Sequence, residues 1–250
     1  MIVENLYIHL NATTQAVLGR GFSMIDFSHA INQYPQNLLL FDPNIDIGHY
    51  NRSTNLRMIL GRENVASYFH DMRKKEKEEE LKWIDFTDEI MLKELSPMEL
   101  SELLYFSHMK KPLHSPFFYK LQNNFVYFEY GEDFSKIYYR YLDEFYRILA
   151  NKLSRLSFTK INYRKFFSKK IIADKPSLPF LRKLKSIFEE GIIICFTMAT
   201  IKQNKFSFPL YAQENVLWGT RNLEQKSDTL LLAHLIYDVK EKTWNVNMRN

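Results

Sequence analysis

Between Phe117 and Tyr146, thirteen of thirty residues are Phe or Tyr, against an aromatic share of 15% for the whole chain. Rings of that size must be buried in bulk or displayed as a stacking surface, so this stretch fixes where the core lies. Just upstream, Ser96-Pro97-Met98-Glu99 combines an N-cap, a first-turn proline and a capping-box glutamate, and predicts a helix with Leu100, Leu103 and Leu104 inward. Lys110-Lys111-Pro112 marks its end. Phe117–Leu121 and Phe125–Tyr130 predict a hairpin across Gln122-Asn123-Asn124, because Asn tolerates the positive φ of a tight turn. Phe134, Ile137, Tyr138, Leu142, Phe145, Leu149 and Leu153 recur at helical spacing and predict one long helix over 133–153.

At 250 residues the chain is long enough to bury a sizeable core. Only seven glycines are present, which leaves few places where backbone can close around a phosphate. The single cysteine, Cys195, forms no internal disulfide, and Met1 to Leu6 lacks the basic start of a signal peptide. The largely apolar run 192–199 is far shorter than the ~20 residues that span a bilayer. A cytoplasmic protein without a transmembrane segment is the expectation.

In chain order, Asn5–Leu10 and Ala16–Arg20 read as a hairpin, Phe22–Phe27 as its continuation, and Ser28–Tyr34 as a helical turn. Asn37–Phe41 reads as a buried strand, and Asp42 to Gly48 as a loop. From Ser53 to Met72 the apolar residues fall at helical spacing, broken at Gly61, and 73–82 reads as a solvated charged helix. Phe180–Glu190 is amphipathic and stops at Gly191. Ile192–Ile201 pairs with Lys205–Leu210 across Gln203-Asn204, Asp228–His234 fits either helix or strand, and Leu235–Val239 with Thr243–Asn247 forms a terminal hairpin. The expected fold is one compact α+β domain. Its mixed or antiparallel sheet comes from the N- and C-terminal thirds (1–48 and 190–250). A central helical lobe (53–155) contains the aromatic hairpin, and a basic connector spans 156–190.

Several constellations bear on chemistry. Asp42-x-Asn44-x-Asp46 opens like a calcium loop but has Ile47 at the glycine position and Ser53 at the bidentate-glutamate position, so a turn is expected. Gly19-Arg20-Gly21-Phe22-Ser23 lacks the third glycine of a dinucleotide site and the Lys-Ser/Thr of a P-loop. No two histidines stand at i,i+3 or i,i+4, which argues against zinc, and no Gly-x-Ser-x-Gly elbow exists. No catalytic residue, cofactor or metal is assigned from sequence.

Charge carries the functional expectation. Residues 151–190 hold eleven Lys/Arg against three Asp/Glu, whereas 1–95 hold ten against fourteen. Between Lys152 and Lys185 the cations alternate with rings, a pattern that neutralises phosphates and stacks on unpaired bases. The expected surface uses Arg155, Lys160, Arg164, Lys165, Lys169 and Lys170 for charge, and Tyr163, Phe166 and Phe167 for stacking. Its partner is nucleic acid or an acidic protein surface, including the 76–80 glutamate cluster of a second copy in a homodimer. The rival expectation is an enzyme or small-molecule binder with a tyrosine-lined cleft, with His114, Tyr138, Tyr139 and Arg140 at its rim.

Overall fold

The structure, a computed structural model, describes residues 5–42, 45–74, 81–108, 110–130, 134–163, 172–213 and 231–249, with backbone alone at 73–74 and 162–163. In chain order the elements begin with β1 (Asn5–Asn11), β2 (Ala16–Arg20), α1 (Met24–Ala30), β3 (Asn37–Leu40), β4 (His49–Asn51) and β5 (Leu56–Leu60). Next come α2 (Arg62–Lys74), β6 (Lys82–Phe86), α3 (Glu89–Lys93), α4 (Pro97–Ser107), β7 (Phe125–Tyr130) and β8 (Phe134–Tyr139). The chain closes with α5 (Leu142–Tyr163), α6 (Leu178–Lys183), α7 (Lys185–Glu189), β9 (Ile192–Cys195), β10 (Thr200–Lys202), β11 (Lys205–Ala212), β12 (Leu231–Asp238) and β13 (Thr243–Met248). The fold is mixed helix and antiparallel sheet. Two compact units divide it, one made of 11–17 and 23–144, the other of 1–10, 18–22 and 145–250.

In the unit around 23–144 the strands run antiparallel in the order β8-β7-β6-β3-β5-β4. Successive side chains on a strand point to opposite faces, and here both faces are covered. Ile84, Val126, Phe128 and Tyr138 face one side, where Phe106 of α4 meets Phe128 at 6.2 Å and Tyr138 at 5.6 Å. Trp83, Phe125 and Tyr127 face the other, where Phe27 of α1 packs edge-on within 5.1–5.6 Å of each. Trp83 and Tyr127 are register partners on β6 and β7 and stack at 5.0 Å, 3° from parallel.

Two-sided burial explains why the middle of the chain departs from the expected helical lobe. Residues 134–139 form β8 rather than the start of a long helix, and pair with β7 from Phe125↔Tyr139 to Tyr130↔Phe134. A strand buried on both faces needs apolar residues at consecutive positions, so Ile137 and Tyr138 satisfy a helical spacing without being helical. The hairpin is therefore β7–β8, and 117–122 is a compact turn organised by Asn123. The buried Asn123 amide accepts from Phe118 N–H at 2.8 Å and donates to the Pro116 carbonyl at 3.1 Å. Similarly, 56–60 is strand β5, entered through a turn in which Asn51 Oδ1 accepts from the Ser53 and Thr54 amides. The helical pattern begins only at Arg62, after Gly61 at φ 87°.

Phe22–Phe27 does not extend the sheet either. Ser23 and Asp26 form a reciprocal capping box that starts α1 at Met24. The Ser96 box does start α4 at Pro97 as expected.

In the unit containing 145–250, the strands are antiparallel in the order β13-β12-β11-β9-β1, with β10 folded back on β11. Gln203 and Asn204, at φ 48° and 64°, give the β10–β11 hairpin the left-handed turn its twist requires. The expected 192–201 strand is broken after Cys195. Leu231–Asp238 and Thr243–Met248 form the terminal hairpin. Tyr7, Ile193, Cys195 and Tyr211 make a buried cluster across β1, β9 and β11. Gly191 is held at φ 72° so close to the Gln213 carbonyl that an added Cβ would stand 2.9 Å from it.

Candidate functional site

The basic stretch begins on α5. Phe145, Leu149, Leu153, Ser157 and Ile161 recur every four residues as its buried stripe, which turns Arg155 outward and leaves Lys160 half-buried. After the helix the chain is tied down at 172–174 by three side chains. Ser154 Oγ donates to the Ala173 carbonyl, and Trp244 Nε1 donates to the Asp174 carbonyl at 2.7 Å. Tyr237 OH accepts from Asp174 N–H at 3.1 Å and donates to the Ile172 carbonyl at 3.5 Å.

From this strap Ser177 caps α6, whose buried Leu181 leaves Arg182 and Lys183 exposed. Lys175 is exposed on the strap itself, and Lys185 pairs loosely with Glu189 at 3.8 Å. Phe158 on α5 and Phe180 on α6 are half-buried. The expected contact residues Arg164, Lys165, Phe166, Phe167, Lys169 and Lys170, and the side chain of Tyr163, lie outside the described residues, as does the 76–80 glutamate cluster.

The residues of the expected tyrosine cleft fall on several elements. Tyr138 and Tyr139 are consecutive on β8 and point to opposite faces of a sheet covered on both, so they do not line one groove. Burial pushes the Tyr139 phenol well above its ordinary pKa, with the Glu144 charge adding to the effect. Arg140 packs over the Phe117 ring at 5.3 Å and donates from Nε to the Asn123 carbonyl at 2.6 Å.

His114 shares a neighbour with Arg140, the Phe117 ring. It borders a cavity of about 220 Å³ whose walls include Met98, Phe117, Phe118 and Tyr119. Its Nδ1 is hydrogen-bonded to Oε1 of Glu102, a carboxylate on α4 that is only 5% exposed, while the His114 side chain is 67% exposed. Nearby, Lys120 Nζ meets Glu99 Oε2 at 2.8 Å, and with the Ser96 cap it holds the Glu99 carboxyl down to about 2. A second, larger cavity of about 420 Å³ lies between β5 and α2, bordered by His49, Ile59, Asn64, Ser67 and Tyr68.

Sequence reasoning missed two buried acids. Glu102 sits on the inward stripe of α4 beside Leu103 and four residues before Phe106, and an acid in that stripe was the available signal. Asp85 lies in β6, where its carboxylate accepts from the amides of Asn124 (2.9 Å) and Phe125 (2.6 Å) and so locks the entry to β7. Burial pushes its carboxyl up to about 7, against the pull of those amides and of Arg140. Among the described residues no cluster of His, Cys, Asp and Glu is placed to hold a metal, and no helix is long and apolar enough to cross a membrane. Comparison with protein-family models, with curated proteins and with solved structures finds no match to this chain.

Proposed function

We propose that the chain is a binding protein whose contact surface is the basic stretch 152–185, and that its ligand is single-stranded nucleic acid. One observation carries this reading: Arg155, Lys175, Arg182 and Lys183 are all exposed on one unit, on elements joined through the strap that Ser154, Tyr237 and Trp244 tie down. Cations held on a fixed framework lose less freedom when they engage phosphates than cations on a loose tail. Within a segment whose excess is eight positive charges, the exposed Arg155, Lys175, Arg182 and Lys183 would supply the counterion release that drives such binding. Phe158 and Phe180, both half-buried in the same stretch, are the described rings on which unpaired bases would stack.

The test is fluorescence anisotropy with a labelled oligo-dT strand against the intact chain and a variant with Arg155, Lys175, Arg182 and Lys183 all changed to Glu. Loss of affinity by at least about a hundredfold is expected, because each phosphate contact removed weakens binding. Equal binding by the two proteins overturns the reading. Binding of a poly-glutamate peptide with higher affinity than the oligonucleotide transfers the surface to an acidic protein partner.

A further inference from the structure

We propose that Glu102 and His114 form a carboxylate–imidazole dyad serving the cavity beside α4, and that this cavity takes a small planar ligand carrying a weakly acidic hydroxyl. The site lies in the unit containing 23–144 and is independent of the basic surface. Its geometry has three parts.

The first is the orientation of the ring. Glu102 Oε1 accepts from His114 Nδ1, which fixes the tautomer so that Nδ1 carries the proton and Nε2 is the acceptor. A carboxylate buried to this degree orients the imidazole and lies beside the positive charge that forms when Nε2 takes up a proton. The second is accessibility. The His114 side chain is mostly exposed, and among the described residues its hydrogen bond runs from Nδ1 to Glu102, which leaves Nε2 as the ring nitrogen for a ligand.

The third is the wall. Phe117 and Phe118 form aromatic sides, while Tyr119 is 90% exposed and Met98 59%, so two large side chains stand in water at the mouth. A cavity of about 150 Å³ accepts a benzene ring, and this one, at about 220 Å³, has room for a ring with a substituent. A flat apolar ligand would cover the exposed Tyr119 and Met98 surface while its hydroxyl meets Nε2.

In the bound state the ligand O–H bond breaks and an Nε2–H bond forms. The electron pair stays on the ligand oxygen, and the imidazolium rests against the Glu102 carboxylate. The other charged groups near the cavity, Glu99 and Lys120, are paired with each other. They leave the imidazole as the group that exchanges the proton.

p-Nitrophenol is a direct probe, because it is planar, ionises near neutrality and absorbs visible light only as the phenolate. Titrated into the intact chain below its own pKa, it is expected to give a saturable phenolate band. His114→Gln, a change at an exposed side chain, abolishes the band while leaving the circular dichroism spectrum unchanged. Glu102→Gln weakens it by about tenfold or more, the scale of a lost charge-assisted orienting bond. The His114 Nε2 resonance, followed by ¹⁵N NMR, moves to the protonated position on binding, which a purely structural tether would not produce.

Absence of a saturable band overturns the proposal. So does an equal band in His114→Gln, which would place phenolate on the lysines of the other unit instead. If Glu102→Gln does not fold, the His114→Gln comparison and the resonance shift still decide it.

Discussion

The aromatic stretch 117–146 and the basic stretch 152–185 look alike in sequence, each interleaving large rings with polar residues, yet they spend their rings differently. In the first, Phe125, Tyr127, Phe128, Tyr138 and Tyr139 lie on two paired strands whose faces are both covered, so most rings are consumed by packing. In the second, α5 buries one stripe and α6 buries Leu181, which leaves Arg155, Arg182 and Lys183 exposed, while Lys152 is buried and Lys160 half-buried. Ring density therefore marks a core where a strand carries it and a surface only where a one-sided helix does. That contrast is why the tyrosines at 138 and 139 are structural, and why the candidate ligand groups fall to Arg155 through Lys183 on one unit and to His114 on the other.

The contrast breaks if the aromatic stretch proves tolerant. Trp83→Ala, which removes a fully buried ring stacked on Tyr127 and edge-packed on Phe27, is expected to cost about 3–5 kcal/mol in urea unfolding. Tyr119→Ala, at a ring 90% exposed within the same stretch, should change stability by less than about 0.5 kcal/mol. Comparable losses at both positions would refute the division into packed and displayed rings.

Next in size is a pH effect under the same hairpin. The Asp85 carboxyl titrates near 7 when folded, above its ordinary value of 3.8, so the native state binds this proton more tightly than the unfolded state. Its contribution is complete below about pH 4 and is lost as pH rises through about 7, a change on the order of 4 kcal/mol. Unfolding at pH 5 and pH 8, compared between the intact chain and Asp85→Asn, reads this slope, which the variant should lack. Glu99 works in the opposite direction: Lys120 and the Ser96 cap depress it, and its contribution is lost only as pH falls toward 2.

On the basic side, Trp244→Phe keeps a ring at β13 but removes the Nε1 bond to the Asp174 carbonyl. A loss of about 1 kcal/mol in stability is expected. The oligonucleotide affinity should also fall in this variant, because the strap that carries Lys175 loosens. Unchanged affinity would separate the strap from the surface. A loss of the same size is expected at the Ser96 box, where Ser96→Ala should cost about 1 kcal/mol without touching oligonucleotide binding.

Local signals with their own hydrogen-bond chemistry were legible in the chain. The Ser96 capping box, the Gln203-Asn204 turn and the terminal hairpin, read as 235–239 with 243–247, were each readable because the residues that make the turn or cap are the residues that name it, whereas 231–234 fitted helix or strand equally. Periodicity alone misled. Ile137 with Tyr138, and Ile59 with Leu60, sit at helical spacing in strands because neighbours on both faces demand apolar residues in succession. The Ser23–Asp26 box was present but hidden behind Met24 to Phe27, which reads equally well as strand. At the sites, the exposure of Arg155 and Arg182 follows from the helix stripes. The pairing of Glu102 with His114, twelve residues apart across a loop, has no sequence period to announce it.

Fixed cations on α5, the strap and α6 are proposed to engage a polyanion. The most direct test is the salt dependence of oligo-dT affinity for the intact chain. The logarithm of the association constant is expected to fall linearly with the logarithm of salt concentration, with a slope on the order of −3, since each phosphate neutralised on a single strand contributes about −0.7. A slope indistinguishable from zero, or no binding at the lowest salt, would contradict the account.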